Sequence, residues 1–153
     1  MRLLENRIPP PLVMACTGAG MWLAAVPAGG LPSPSPLQLA LAIAGVLAGA
    51  FFCLAGVVSF RRARTTVNPL RPQNASALVS SGIYRVSRNP MYVGFALFLV
   101  ALAAVLGSLP ALAGVVLFVL YITRFQILPE ERALRALFGA DFEAYCARVR
   151  RWL

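Results

Sequence analysis

Four long apolar runs dominate this chain and limit what it can fold into. They cover residues 12–28, 37–60, 91–107 and 109–128. At about 1.5 Å per residue, helices of this length can cross a hydrocarbon core about 30 Å thick. The composition agrees, because 59% hydrophobic residues, 12% charged residues and a mean hydropathy of +0.76 fall outside the range of soluble domains. We therefore predict a single all-α polytopic membrane domain over residues 1–153, with about four transmembrane helices.

The first apolar run is the least regular of the four. Gly18, Gly20 and Pro27 interrupt it, so a tilted or irregular span is expected. A cleaved signal peptide is the alternative for this region. The three prolines at 9–11, and the lack of a small-residue cleavage site leading into a soluble domain, favour a retained span.

The basic residues are unevenly distributed, and they predict the topology. All fourteen are arginine, and the linkers at 28–36 and 107–110 carry no charge. Most lie between the second and third apolar runs or after the fourth: Arg61, Arg62, Arg64, Arg71, Arg85, Arg88, Arg132, Arg135, Arg148, Arg150 and Arg151. By the positive-inside rule, both termini and the central loop face the cytoplasm. The arginine-only, alanine-rich composition is typical of a high-GC bacterium, so we expect the bacterial cytoplasmic membrane.

The net charge of +9 does not indicate a nucleic-acid-binding protein, since the sequence lacks a soluble basic face or an aromatic platform. Attraction to anionic lipid headgroups accounts for the same arginines. Cys16, Cys53 and Cys146 are widely separated, and the chain has no histidine. The cysteines are therefore interpreted as small packing residues, and no metal site is predicted.

The remaining polar residues gather on the predicted cytoplasmic side. A short turn with Gly107 and Pro110 joins the third and fourth runs, which predicts a tight helical hairpin. The tail is predicted to form two short amphipathic helices, the first beginning at Pro129 and ending at Gly139. The loop at 61–90 is either a linker or a segment that packs against the rest of the protein. A site is expected where this loop meets the tail.

Two motifs flank the predicted hairpin: "SGIYRVSRNPMYVG" at 81–94 and "PEERALRALFGADFEAYCARVRRW" at 129–152. Together they resemble the isoprenylcysteine carboxyl methyltransferase family and its phospholipid N-methyltransferase relatives, over about 78–152. The family pattern is Gly-x-Tyr, Arg-His-Pro-x-Tyr-x-Gly, a hairpin, Glu-Glu-x-x-Leu-x-x-x-Phe-Gly, and a Tyr before a closing Arg. Asn89 replaces the family histidine; it can donate a hydrogen bond, but it cannot exchange a proton near neutral pH.

The resemblance implies an S-adenosylmethionine-dependent methyltransferase whose cofactor lies between the two motifs, on the cytoplasmic side. This cofactor carries a sulfonium, an ammonium and a carboxylate, so it needs arginines, glutamates and aromatic faces together. The implied cofactor-binding residues are Tyr84, Arg85, Arg88, Asn89, Pro90, Tyr92, Gly94, Glu130 and Glu131, with Arg85 or Arg88 on the carboxylate, Glu130 or Glu131 on the ammonium, and the tyrosines on adenine or sulfonium. The implied catalytic residues are Arg124 and Glu131.

Two features at the cytoplasmic edge have alternative interpretations. Arg124 is predicted near the cytoplasmic end of the fourth run, where a charge is costly unless it is paired or snorkels to water. It is predicted either to orient an anionic group of the acceptor or to pair with Glu130, the alternative being a simple topological anchor. Trp152, with Arg150 and Arg151, is interpreted as an interfacial anchor.

The methyl acceptor is expected to be lipophilic and membrane-borne, with a carboxylate, thiol or similar group. A phospholipid or amine N-methyltransferase is the alternative; an amine acceptor needs a base, for which Glu131 is the candidate. A non-enzymatic scaffold would use Gly45, Gly49 and Gly56 as a close helix-contact face. A transporter is disfavoured, because no acidic or other ionisable residue lies mid-membrane.

Overall fold

Regular structure in the described part of the chain is entirely helical. The computed structural model describes residues 5–25, 33–63 and 77–153. Its elements are α1 (Pro10–Ala25), α2 (Pro36–Arg62), a 3₁₀ turn (Gly82–Arg85), α3 (Pro90–Leu106), α4 (Leu109–Ile122), a π-helical turn (Thr123–Ile127) and α5 (Leu128–Arg148). The all-α prediction is thus confirmed for these residues. The predictions that concern Pro27, Arg64 and Arg71 lie outside them.

Two helical segments are long and apolar enough to cross a membrane, namely α2 and the continuous segment Pro110–Arg148. Helices α1 and α3 are apolar but shorter. Helix α1 runs through Gly18 and Gly20, so neither glycine breaks it. Large apolar side chains on both long segments are exposed, including Leu47 at 65% and Leu117 at 64%. Such apolar surface indicates membrane association.

Helices α2 and α3 make the most extensive helix contact in the described fold. A Cβ atom added at Gly49 would lie 2.9 Å from the carbonyl oxygen of Gly94, and one at Gly56 would lie 2.7 Å from Cγ of Met91. Both separations are below van der Waals contact, so glycine allows these helices to approach closely. The glycine face predicted on α2, which also includes Gly45, is therefore covered by α3 of the same chain.

The connection between α3 and α4 is only two residues long. Gly107 ends α3 in the left-handed conformation (φ 58°, ψ 24°), which glycine adopts without a Cβ clash. Pro110 lies in the first turn of α4, where its missing N–H leaves no helical carbonyl unpaired. Helices α3 and α4 are consequently in contact as direct neighbours.

The junction between α4 and α5 differs from the prediction that a new helix begins at Pro129. The helix instead continues across this proline through the π-helical turn, in which the Leu128 N–H donates to the Thr123 carbonyl. Pro129 has no N–H, so the Phe125 carbonyl loses its α-helical donor. The Asn6 N–H takes that place at 3.0 Å. The N-terminal segment thus supplies the hydrogen bond that the Phe125 carbonyl would otherwise lack.

The second half of α5 and the segment before α3 form their own packed unit. Helix α5 is interrupted at Gly139 (φ 46°, ψ −118°), at the position where the sequence predicts a break. Beyond it, buried Phe142 and Tyr145 pack with Val79 and Tyr84. The described part of the predicted loop, residues 77–89, therefore packs onto the tail rather than behaving as a linker.

Candidate active site

The two polar motifs meet through hydrogen bonds that join the segment before α3 to the C-terminal tail. The Tyr145 hydroxyl donates to the Tyr84 carbonyl at 2.7 Å, and the Arg88 N–H donates to the Arg150 carbonyl at 3.0 Å. The Asn89 Nδ2 donates to the Arg151 carbonyl at 2.9 Å. Three bonds of this kind fix the tail after α5 against the start of α3. They place the charged side chains of both motifs side by side.

Glu131 lies at the centre of a partly buried ion network with two arginines. Arg151 holds it in a bidentate pair, with Nε 2.9 Å from Oε1 and Nη2 2.8 Å from Oε2. Arg88 Nη2 lies 3.2 Å from the same Oε1, and its Nη1 donates to the Cys146 sulfur. Only 8% of Glu131 is exposed. Two guanidinium groups around one carboxylate leave a net positive charge, which favours binding of an anionic group.

Arg88 has an unused donor in this network. Its Nε atom is buried, and no hydrogen-bond partner for it exists among the described residues. A buried donor without a partner loses its hydration without compensation, which costs about 1–3 kcal/mol. A ligand oxygen bound beside Glu131 would remove that cost.

Glu130 lies next to the network but has a different environment. The Tyr92 hydroxyl donates to Glu130 Oε1 at 2.5 Å. Glu130 follows the apolar run that ends at residue 128, and burial raises its pKa to about 8; the neighbouring Glu131 charge also raises this pKa, whereas the Tyr92 hydrogen bond lowers it. The Glu130 carboxyl is therefore poised to ionise when a cationic group binds beside it.

Six of the residues predicted for the site occupy this connected region: Arg88, Asn89, Pro90, Tyr92, Glu130 and Glu131. Pro90 is buried at the start of α3, which fixes the direction in which the chain leaves Asn89. Asn89 keeps the donor function predicted for it, and uses it on the tail. The geometry therefore brings together groups of both signs from the two motifs.

Three other predicted residues contribute no side chain to this polar network. Tyr84 is only 5% exposed, and its ring makes a T-shaped contact with Phe60, with 5.4 Å between the ring centroids. Burial leaves little of the ring accessible to a ligand. Arg85 is exposed on the 3₁₀ turn. Gly94 packs against α2, where an added Cβ would lie 2.7 Å from the Gly49 carbonyl oxygen. The requirement for glycine at this position comes from helix packing.

Arg124 does not pair with Glu130 as one of the predictions proposed. Its Nη1 lies 3.1 Å from Glu5 Oε1, and Arg132 contacts the other oxygen of the same carboxylate. The hydrogen bond from Arg124 is the main reason that the pKa of Glu5 lies below its ordinary value. Gln126 Nε2 adds a bond of 2.7 Å to the Ile8 carbonyl. Arg124 therefore belongs to the surface on which the N-terminal segment docks.

Sequence reasoning missed the role of Arg151 and the contacts that Trp152 makes within the fold. Arg151 supplies two of the hydrogen bonds to Glu131. Trp152 Nε1 donates to Thr123 Oγ1 at 3.2 Å, and its ring packs against the main hydrophobic cluster instead of only anchoring the chain at an interface. The role of Arg151 could have been predicted from the closing arginine of the family pattern. An arginine at a fixed place after paired glutamates indicates an ion-pair partner for one of them.

Comparison with known sequences gives the family. The family model described as phospholipid methyltransferase matches residues 37–141. This chain belongs to the phospholipid methyltransferase family. The matched range includes all but the first residue of α2, the whole of α3 and α4, and most of the candidate site, and the predicted family resemblance is confirmed.

Individual relatives agree with this family. An uncharacterised protein of Haemophilus influenzae is 43% identical over 63 residues, which are 41% of this chain and all of that protein. Two proteins of Oryza sativa, from subspecies indica and japonica, are each named probable protein-S-isoprenylcysteine O-methyltransferase. Each is 33% identical over 96 residues, which cover 61% of this chain and 49% of the relative, so this chain spans about half their length. No solved structure matches the chain.

Proposed function

We propose that this protein is an S-adenosylmethionine-dependent methyltransferase that acts on a lipophilic, membrane-borne acceptor at the cytoplasmic boundary of a bacterial membrane. Family membership supports methyl transfer in general. The observation that carries the proposal is the pairing of an arginine-rich network at Glu131 with the Glu130–Tyr92 pair next to it. This arrangement matches a ligand that has a carboxylate and an ammonium on the same carbon.

The donor set fits the amino-acid end of the cofactor. The unused Nε of Arg88 and the partly exposed Arg151 would hold the carboxylate. Glu130 would hold the ammonium, because the charge of Glu131 is already shared by two guanidinium groups. Tyr92 is as buried as Tyr84, at 5% exposed, so we assign it the role of holding Glu130 in place through its hydroxyl. We therefore assign the carboxylate to the arginines and the ammonium to Glu130.

The chemistry asks these residues mainly for positioning. The sulfonium of the bound cofactor supplies an already activated methyl group. Alignment of donor and acceptor, together with exclusion of water at the membrane edge, then provides most of the acceleration. For a carboxylate or thiolate acceptor, opposite charges neutralise in the transition state, so a low dielectric helps and no base is needed. Asn89 contributes by holding the tail, and hence Arg151, in place.

An N-methyltransferase remains the second candidate, and one observation favours it. An amine acceptor needs a base with a pKa near the working pH. Glu131 was the predicted base, but both of its carboxylate oxygens are already bonded to arginines. In this alternative Glu130, whose pKa burial raises to about 8, would take the proton of the acceptor amine and would not hold the ammonium of the cofactor. The scaffold alternative is weaker, since its glycine face is covered by α3.

The proposed topology treats all four apolar helices as membrane-spanning, with both termini in the cytoplasm. Helices α1 and α3 would span as shorter or tilted partners of the two long segments. The arginine distribution sets the orientation. The candidate site then lies where a water-soluble cofactor and a lipid-soluble acceptor can both arrive.

Calorimetric titration in nanodiscs with S-adenosylmethionine and with its demethylated product tests the proposal. We expect saturable binding to the wild type, and affinity lowered by at least about tenfold in Arg88→Gln and Glu130→Gln, since each variant removes a charged contact to the cofactor. Arg148→Gln is the matched control, because Arg148 is exposed and its Nε bonds only its own helix at Ala144. Absence of binding to folded wild-type protein would overturn the proposal and favour a scaffold.

A further inference from the structure

A second feature of the fold shares no residue with the charged network at Arg88, Glu130 and Glu131. A groove of about 450 Å³ runs between α1 and α4, within the size range of ligand sites. Val13 and Thr17 line it from α1, and Leu117, Leu120 and Tyr121 line it from α4. None of these residues contacts Arg88, Glu130 or Glu131 through a hydrogen bond or ion pair in the described structure. The groove is therefore not bonded to the charged network of the candidate active site.

One end of the groove is positively charged. Arg124 lines it and lies over the Phe125 ring, with 5.4 Å from the guanidinium carbon to the ring centroid. Arg124 shares the single carboxylate of Glu5 with Arg132, and the side chains of the two arginines are 43% and 54% exposed. Two positive charges and one negative charge leave an excess of one positive charge. An anionic headgroup complements this end of the groove.

The middle of the groove offers a hydrogen-bond donor. The Tyr121 hydroxyl is buried and has no hydrogen-bond partner among the described residues. It lies one helical turn before Arg124 in the chain, a rise of about 5 Å along the axis. In a glycerophospholipid, an ester carbonyl lies one short glycerol linkage away from the phosphate. Such a carbonyl would accept a hydrogen bond from the Tyr121 hydroxyl and remove the free-energy cost of leaving that hydroxyl unpaired.

The other end of the groove is apolar and open at its side. Leu117 and Leu120 are 64% and 60% exposed, on a segment apolar enough to cross a membrane. A hydrocarbon chain can therefore enter from the bilayer without displacing protein. The groove lining therefore changes along α4 from the guanidinium of Arg124, through the hydroxyl of Tyr121, to the apolar side chain of Leu117.

We propose that this groove binds one anionic glycerophospholipid, with its phosphate on Arg124, an ester carbonyl on Tyr121 and one acyl chain along Leu117 and Leu120. The order of charge, donor and apolar surface matches the order of groups in such a lipid. The excess positive charge at Arg124 and Arg132 selects an anionic headgroup over a zwitterionic one. This site is independent of methyl transfer and requires no chemistry on the lipid.

Native mass spectrometry of the full protein, equilibrated with equal amounts of phosphatidylglycerol and phosphatidylcholine of identical chains, tests the proposal. We expect one phosphatidylglycerol to be retained with about tenfold preference, and Leu117→Trp to lower its retention by about tenfold. Val116→Trp is the matched control, because Val116 is also exposed, at 57%, but does not line the groove. Cofactor binding by Leu117→Trp should equal that of the wild type, which separates this test from that of the proposed function.

The charge is tested separately, so that the proposal stays open to refutation if a tryptophan variant does not fold. Arg124→Gln should abolish the preference for phosphatidylglycerol, whereas Arg148→Gln should keep it. Equal retention of both lipids by the wild type, an unchanged preference in Arg124→Gln, or equal effects of the two tryptophan variants would each overturn the proposal.

Discussion

The amide of Asn6 lies 3.0 Å from the carbonyl oxygen of Phe125 and donates a hydrogen bond to it. This contact connects the first described residues of the chain with the junction of α4 and α5. It forms because Pro129 cannot supply the helical donor that Phe125 would otherwise have. A single proline therefore leaves the Phe125 carbonyl available as a docking point for the N-terminal segment.

Replacing this proline tests that explanation. In Pro129→Ala the new N–H can bond the Phe125 carbonyl, so the Asn6 N–H loses its acceptor. We expect faster hydrogen exchange at residues 5–8, measured by mass spectrometry in nanodiscs, with α5 still helical. Pro110→Ala is the control, because an N–H in the first turn of α4 has no intrahelical acceptor. Equal protection at residues 5–8 in both variants would contradict the explanation.

The role of Asn89 can be separated from that of the family histidine. Asn89→Leu has a similar size but no donor, so the Arg151 carbonyl loses its 2.9 Å bond. We expect this variant to bind S-adenosylmethionine about tenfold more weakly, because a lost hydrogen bond costs about 0.5–1.5 kcal/mol and the tail that positions Arg151 loosens. Asn89→His should bind almost as the wild type does, since imidazole can also donate. Wild-type affinity in Asn89→Leu would show that the donor does not matter.

The raised pKa of Glu130, about 8, predicts a pH dependence of cofactor binding. An ammonium pairs with the ionised carboxylate, so bound cofactor lowers this pKa and binding releases a proton. Affinity should therefore rise with pH from about 6 to about 7.5, by at most about tenfold per pH unit. The window ends there because an α-amino group itself loses its proton near a pKa of about 7.7–8.0.

Glu130→Gln provides the control for this pH dependence. Glutamine can still accept the Tyr92 hydrogen bond, but it has no charge to change. Titration calorimetry across the same window should give weaker binding with little dependence on pH. If the variant keeps the wild-type slope, another group is responsible and Glu130 does not hold the ammonium.

Replacement by alanine should have opposite effects at Gly94, in the contact of α3 with α2, and at Gly20 on α1. In Gly94→Ala the new Cβ would lie 2.7 Å from the Gly49 carbonyl oxygen, so the helices must separate, at a cost of about 1–3 kcal/mol. In Gly20→Ala nothing lies within 4 Å of the new Cβ, and the more favourable helix propensity of alanine should contribute about 0.5–1 kcal/mol. The unfolding midpoint in detergent should therefore fall in the first variant and stay equal or rise in the second. An unchanged midpoint in Gly94→Ala would show that the contact is not tight.

Some parts of the site could be predicted from the sequence because they depend on local order. Arg88 and Asn89 come directly before Pro90, and Glu130 and Glu131 come directly after Pro129. Each motif therefore stays intact in any fold that keeps the neighbouring helices. The assignment of partners could not be predicted in this way. Pairing of Glu131 with Arg151, or of Arg124 with Glu5, joins residues 20 and 119 positions apart.

The sequence by itself determined the apolar helices, the breaks at Gly107 and Gly139, and the two motifs, since hydrophobic runs and backbone preferences act over a few residues. The tertiary structure alone decided that Gly94 serves helix packing and that the helix continues across Pro129. Each of these depends on an atom from a distant part of the chain, the Gly49 carbonyl in one case and the Asn6 amide in the other. Such contacts have no local pattern, because their energy depends on which surfaces the whole fold brings together.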